Sequence, residues 1–458
     1  MATAAERLAE RIVGLEFGSL PRDVITMAKL SMLDQLGVQL IGSTMRWNNT
    51  IYEVVKEAGG RAEATVVNHG TRLPAHEAAF VNATFGQGCE LDDGLRDADG
   101  NTGGHPGAMT VPVALALSER WRTDGKTVVS AIVAGYETAF RLGQGMQGSH
   151  RRGFHNQSVI GPFAATAVAS RLLGLDAAET AHAISIAGSQ LSGVQEFDRS
   201  GGESKRMHAG LAARAGIQSA LFAKAGLTGP MTILEGKRGV LWLYAGERDA
   251  SALDSAIARF ATDYGILRAG HKLLPVVSNL QSPILQLAAL MDEHGITADD
   301  VARIDVSLAT HSVEHGASIA SPKDAMGAQV SLAFSLAIRL IKGSNDLSLY
   351  ADPALWEDEA VARVSRTVHA RHDARFDGGN DRGCDLTVTL RDGRTLEKHE
   401  EFPKGQPENP LTPAELEEKF RRLAGAVIPR RAVDDVVQRV LALDDLDDVG
   451  SIAPLLRA

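Results

Sequence analysis

Residues 128–143 are apolar almost all the way round, and no other feature limits the possible folds of this chain as strongly. A helix with one apolar stripe can lie on a surface, but one that is apolar on every side has to be enclosed by other elements. Its sequence neighbours can enclose it. Residues 24–41 read as a helix opened by Pro21 and ended by Gly42-Ser43, with Ile25, Ala28, Met32 and Leu36 on one side. Helical patterns recur at 75–87, 110–120, 163–173, 180–191 and 207–225, and Asp176-Ala177-Ala178-Glu179 has the spacing of a capping box. Two of these segments are alanine-rich, which lets helix backbones approach closely. The first half therefore predicts a tight helical bundle, with a small extended piece near 64–67.

The pattern changes near Gly265. Residues 301–308 and 384–390 alternate as strands do, and Asp392-Gly393 is a turn signal leading into a further strand at 395–397. Helical patterns at 283–292 and 328–341 lie among them, and the tail is helical again from Thr412-Pro413-Ala414-Glu415 and at 433–443. The expected fold is mainly α with a smaller α+β domain. A large all-helical domain is formed by both chain ends, residues 1–264 and 403–458, and residues 265–402 form an inserted α+β lid.

Length and charge narrow the function classes. A chain of 458 residues has room for two domains, and its net charge of −10 gives a nucleic-acid partner little electrostatic support. The two cysteines are too few for a disulfide framework or a cysteine-based zinc site, and a reducing cytoplasm is the natural reading. The N-terminus has no basic-then-apolar secretory pattern, and charges interrupt the longest apolar stretches before they reach the roughly 20 residues of a membrane helix. No His-Glu-x-x-His, phosphate loop or Gly-x-Ser-x-Gly elbow is present. Gly143, Gly145 and Gly148 match Gly-x-Gly-x-x-Gly but follow a helical pattern, which favours a plain loop over a dinucleotide site.

The polar residues with chemical potential sit where helical patterns break. Asp92-Asp93 precedes Gly103-Gly104-His105-Pro106-Gly107, and Arg152-Gly153-Phe154-His155-Asn156 precedes an apolar helix. Ser204-Lys205-Arg206-Met207-His208 and His271-Lys272 follow. Histidines presented in such turns titrate near neutral pH, and lysines there attract anions. Each feature also has a plain structural reading: a loop histidine, a helix cap, a solvated Lys-Arg pair, a hinge lysine. Taken together they point to acid–base chemistry on a small anionic substrate.

These motifs, with Leu30-Ser31-Met32-Leu33-Asp34-Gln35-Leu36-Gly37, Ala187-Gly188-Ser189-Gln190, the stretch from Phe222 to Pro230 and Pro407-Glu408-Asn409-Pro410-Leu411, resemble the MmgE/PrpD family. That family includes 2-methylcitrate dehydratase, cis-aconitate decarboxylase and iminodisuccinate epimerase. The resemblance covers nearly the whole chain. It implies a helical domain with an α+β lid, a homodimer and no required metal or organic cofactor. It also implies active-site positions at Asp93, His105, His155, Lys205 and Lys272. Where family members often carry a tyrosine-containing stretch after the lid lysine, this chain has Leu273-Leu274-Pro275, and residues 311–322 also lack tyrosine.

The reading is a cofactor-independent lyase, a dehydratase or decarboxylase, transferring a proton α to a carboxylate of a small di- or tricarboxylate. His105 is the expected acid/base, oriented by Asp93, with His155 and Lys205 as further catalytic groups. Lys272, Lys205 and His208 are the expected substrate-binding groups. Two alternatives stay open: an epimerase of an iminodisuccinate-like dicarboxylate, and a non-catalytic polycarboxylate-binding protein. A metal-dependent phosphohydrolase is a weaker rival.

Overall fold

A computed structural model of the chain describes residues 2–197, 201–317, 319–378 and 381–458. Ser318, within the tyrosine-less segment 311–322, lies outside the described residues. The protein is mainly α-helical with a smaller α+β part. Its buried apolar side chains form two main clusters. One runs through residues 4–269 and resumes at 420–456; the other spans 276–390.

The enclosed helix is Gly125–Gly145, buried along nearly its whole length. It starts at Asp124, whose side chain accepts from Thr127 N. Against it pack Gly161–Leu173, Ser251–Ala258, Gly107–Trp121 and Arg22–Gly42, and Ala75–Gln87, Ala177–Ala187 and His208–Lys224 pack in turn on these. The capping box at Asp176 and Glu179 is formed. The tail returns as Pro413–Gly425 and Arg430–Leu441. Phe420 of the tail packs over Gly37 of Arg22–Gly42, where a Cβ would lie only 3.1 Å from the ring.

One expectation needs correcting. The helix Arg22–Gly42 is long and apolar enough, by length and composition, to cross a membrane. In the structure Asp34 is cancelled by Lys419 of the tail at 2.6 Å, and 72% of the apolar window is buried inside the protein.

In the second cluster a four-stranded sheet runs in the order Val368–His372, Val301–Leu308, Cys384–Leu390, Thr395–Glu400. The first pair is parallel and the other two are antiparallel. Val368–His372 was not foreseen. It is exposed along one side and rich in His and Arg, so it lacks the apolar alternation that betrays a strand. The helix expected at 328–341 is two helices, Ala325–Gln329 and Leu332–Lys342. Ser331 caps the second by accepting from Phe334 N.

A second sheet frames the site. Asp93–Arg96 pairs antiparallel with both Thr102–Gly104 and Ala269–His271. The register sets Asp93 opposite His271 and Leu95 opposite Gly104. Strands of three or four glycine-containing residues carry no readable period, which is why the sequence shows these segments only as breaks.

Candidate active site

That small sheet delivers two site residues at its strand ends. His105 follows Thr102–Gly104, and Lys272 follows Ala269–His271. Gly104 has φ +78°, open to glycine at little cost, and turns the chain so that His105 leaves the sheet. Gln157 clamps the His105 backbone, accepting from its N–H at 2.8 Å and donating to its carbonyl at 3.1 Å. His155 sits just before Asn156–Val159, held by its N–H donating to Gly193 O. Lys205 lies in the 3-10 turn Ser204–Met207.

These residues meet on a cleft of about 300 Å³, at the small end of the range for small-molecule sites. His105, His155, Lys205 and Lys272 all line it, together with Glu90, Arg96, Asp381 and Arg382. The His105 and His155 rings stand 6.5 Å apart, centre to centre. Four cationic side chains against two carboxylates make the wall positive within an acidic protein.

Glu90 was not foreseen and is central. Its carboxylate bridges the ammonium groups of Lys205 and Lys272, the latter at 2.9 Å. Burial pushes the Glu90 carboxyl up, but Lys205 and then Lys272 outweigh burial and hold it well below the usual carboxylate range. Lys272 is shifted upward: burial disfavours its charge, and Glu90 and Asp92 more than restore it. Glu90 has φ +55°, a left-handed conformation uncommon outside glycine. Neighbouring carbonyls are gripped from several sides. Trp47 and Arg206 donate to Gly88 O, Gln329 to Cys89 O and Lys419 to Leu91 O. The only sequence signal for Glu90 is an acid set between Cys89 and Leu91.

The expected pairing of His105 with the Asp93 carboxylate is corrected. His105 Nδ1 donates to the Asp93 backbone carbonyl at 2.5 Å, and the carboxylate beside it, at 3.1 Å, belongs to Asp92. Nδ1 therefore keeps its hydrogen in either protonation state, and Nε2 is the atom that gives or takes a proton. The Asp93 carboxylate points away from the cleft. It accepts from Tyr136 Oη at 2.7 Å and from Gly107 N at 3.1 Å, so closely that a Cβ on Gly107 would clash with it. Burial raises the Asp93 carboxyl to about 7, against the lowering effect of the Tyr136 hydrogen bond.

His208, expected to bind substrate, stands behind His155 instead, with the two Nδ1 atoms 2.8 Å apart. Burial, and then Lys205, depress both histidines: His155 well below its ordinary value and His208 to about 4. Both are neutral at pH 7, so one Nδ1 donates to the other and the pair shares one set of tautomers. The metal-dependent rival needs a ligand cluster. Among the described residues, no group of three His, Cys, Asp or Glu side chains is placed to hold an ion.

Residues 6–253 match the MmgE/PrpD N-terminal domain, and residues 275–443 match the MmgE/PrpD C-terminal domain. The chain belongs to the MmgE/PrpD family. A cis-aconitate decarboxylase-like protein of Aspergillus oryzae is 28% identical over 98% of this chain and 96% of its own. A cis-aconitate decarboxylase of Aspergillus terreus is 26% identical over 95% and 92%, and a human one 25% identical over 100% and 95%. In this MmgE/PrpD protein the segment Leu273-Leu274-Pro275 spans two packing environments, Leu273 against Leu30, Leu411 and Leu416 and Leu274 against the second cluster. Gln281 holds its backbone there, accepting from both Leu273 N and Leu274 N. Val277, Ser278, Asn279 and His311 also line the cleft, along with Asp381 and Arg382. Asp381-Arg382 was unread in the sequence because a charged pair before a strand looks like any solvated loop.

Proposed function

We propose that this protein is a lyase that removes CO2 from a small unsaturated tricarboxylate of the cis-aconitate type, using its own side chains for proton transfer. The observation that carries this reading is the positive cleft in which His105 and His155 face each other beside Lys205 and Lys272. The full-length similarity to cis-aconitate decarboxylases supports the choice of decarboxylation over dehydration. It lends nothing to the epimerase alternative.

The chemistry balances with one proton in and one CO2 out. The bond to the carboxylate on the saturated carbon breaks, and its electron pair forms a new C=C bond. The old double-bond pair moves to the carbon bearing the far carboxylate, which is protonated. His105 Nε2 is the proton donor in this proposal, because its Nδ1 is committed to the Asp93 carbonyl. Lys205 and Lys272 face the carboxylate on which charge accumulates. An ammonium group has three donors, so each lysine can keep Glu90 and still bind substrate. Neutral His155, its tautomer tied to His208, is the second hydrogen-bonding group. The homodimer implied by the family resemblance and a cytoplasmic location are proposed with this reading; light scattering tests the first.

Proton NMR in D2O with cis-aconitate, 2-methylcitrate and iminodisuccinate in separate tubes tests the reaction. Loss of cis-aconitate to a five-carbon unsaturated dicarboxylate carrying deuterium at one carbon is expected. His105→Ala is expected to lower turnover by about 10²- to 10⁴-fold. An inert wild type with cis-aconitate, or deuterium exchange without CO2 release, sinks the proposal.

A further inference from the structure

The two walls of the cleft differ in how their charge is balanced. On the histidine side, Lys205 and Lys272 are matched by Glu90 and Asp92. At the Asp381 end of the cleft, Arg96 is matched by Asp381 through a two-pronged contact, and its Nε donates to Gly100 O at 3.0 Å. Arg382 is different. Among the described residues, no carboxylate lies within ion-pair distance of it, and its hydrogen bond goes to the neutral side-chain oxygen of Gln406. An arginine carries five N–H donors, so most of the Arg382 fork is uncommitted. It lines the cleft as well as a neighbouring hollow that holds Arg268 and Glu408.

Resting on the tricarboxylate reading above, we infer that Arg382 is the anchor for a substrate carboxylate remote from the reacting carbon, and so the residue that selects polycarboxylates over monocarboxylates. Three observations converge on this. Arg382 faces the same cleft as His105 and His155 but from the opposite domain, so a ligand touching both walls has to carry an anionic group at each end. Arg96 is locked by Asp381 and Gly100, which leaves Arg382 as the side chain on that wall with a free planar fork matched to a carboxylate. Burial, and after it the Arg96 charge, push the Arg382 guanidinium down to about 10, so an arriving anion relieves an unfavourable field. Gln406 fixes the fork from behind. Its loop is set by Gly405 N donating to Asn409 O and by His271 N donating to Gly405 O, which ties Arg382 to the strand that delivers Lys272.

The test compares wild type with Arg382→Gln and Arg382→Lys by calorimetry. The ligands are propane-1,2,3-tricarboxylate, glutarate and butyrate, and cis-aconitate turnover is measured alongside. Arg382→Gln is expected to weaken the tricarboxylate by about ten- to a hundredfold. Butyrate binding should stay within about twofold, and KM for cis-aconitate should rise with kcat little changed. Arg382→Lys keeps charge but loses the fork, and is expected to lose several-fold. A purely structural arginine would instead lower the melting temperature and weaken all three ligands alike, which overturns the inference. So does unchanged tricarboxylate affinity in both variants, or no tricarboxylate binding by the wild type. If cis-aconitate is not turned over while the tricarboxylate still binds in an Arg382-dependent way, the reaction proposed above falls and the anchor stands. If turnover is as proposed while KM and affinity ignore Arg382, the reverse holds.

Discussion

Two sets of buried lysines contrast a pair that holds the tail with a pair that, in the proposed function, works. Lys419, from the first helix of the tail, meets Asp34 one to one, and both side chains are sealed at 1% exposure. Lys205 and Lys272 share Glu90, with Asp92 3.6 Å from Lys272, and line a cleft. A buried one-to-one pair has nothing left to attract, and it fixes where the tail packs. Two ammonium groups sharing Glu90 at the edge of a cleft keep N–H donors in reserve. Burial is common to both sets; access to the cleft is what differs.

The largest expected effect comes from unbalancing the sealed pair. Lys419→Met leaves Asp34 charged and buried, and should cost about 3–5 kcal/mol in denaturant unfolding. Asp34→Asn combined with Lys419→Met should recover most of that, because both charges are then gone. By contrast, Lys272→Met leaves Glu90 paired with Lys205. It should lower kcat/KM for cis-aconitate by about 10²- to 10³-fold and cost clearly less stability than Lys419→Met. Equal stability losses for the two lysine variants would erase the distinction between holding and working.

Asp93 sharpens the comparison through pH. Its folded carboxyl keeps a proton up to about 7, whereas an unfolded aspartate releases it near 3.9. Between those values the folded protein binds more protons than the unfolded chain, so this group's contribution to stability is full below pH 4 and lost as pH rises towards 7. Asp93→Asn removes that titration while leaving an acceptor for Gly107 N. The wild type should lose about 2 kcal/mol more than the variant between pH 5 and pH 7.5, read from urea unfolding at each pH. Parallel curves would mean that Asp93 is ionised throughout, with Tyr136 its anion partner.

Much of this was legible in the sequence, and the failures have physical causes. The enclosed helix, the capping box at Asp176 and the strands at 301–308 and 384–390 announce themselves because their signals are local or periodic. His105, His155, Lys205 and Lys272 were found because residue types that do chemistry stood beside glycine-marked breaks, and the fold brings all four to one cleft. Glu90, Asp92 in place of Asp93 beside the imidazole, and Arg382 were not found. Their significance lies in contacts across long sequence separations: Glu90 to residues 205 and 272, and Arg382 to Gln406. Which of two adjacent aspartates faces a histidine depends on strand register, and that register is set by pairing with Ala269–His271 rather than by any local pattern.

The smallest expected effect tests whether the tail can be weakened without touching the chemistry. Thr412 caps Pro413–Gly425 with a complete capping box: its side chain accepts from Glu415 N, and Glu415 accepts from Thr412 N at 2.7 Å. Thr412→Ala removes the cap and should cost about 1 kcal/mol. The same helix carries Lys419 two turns further on, which donates to Leu91 O next to the Glu90 segment. If the sealed pair isolates the site from the helix end, kcat and KM for cis-aconitate stay at wild-type values while the unfolding midpoint drops. A fall in kcat of more than about threefold in a variant this mildly destabilised would mean that fraying at the cap reaches Leu91. The Lys419–Asp34 pair would then belong with the working lysines after all.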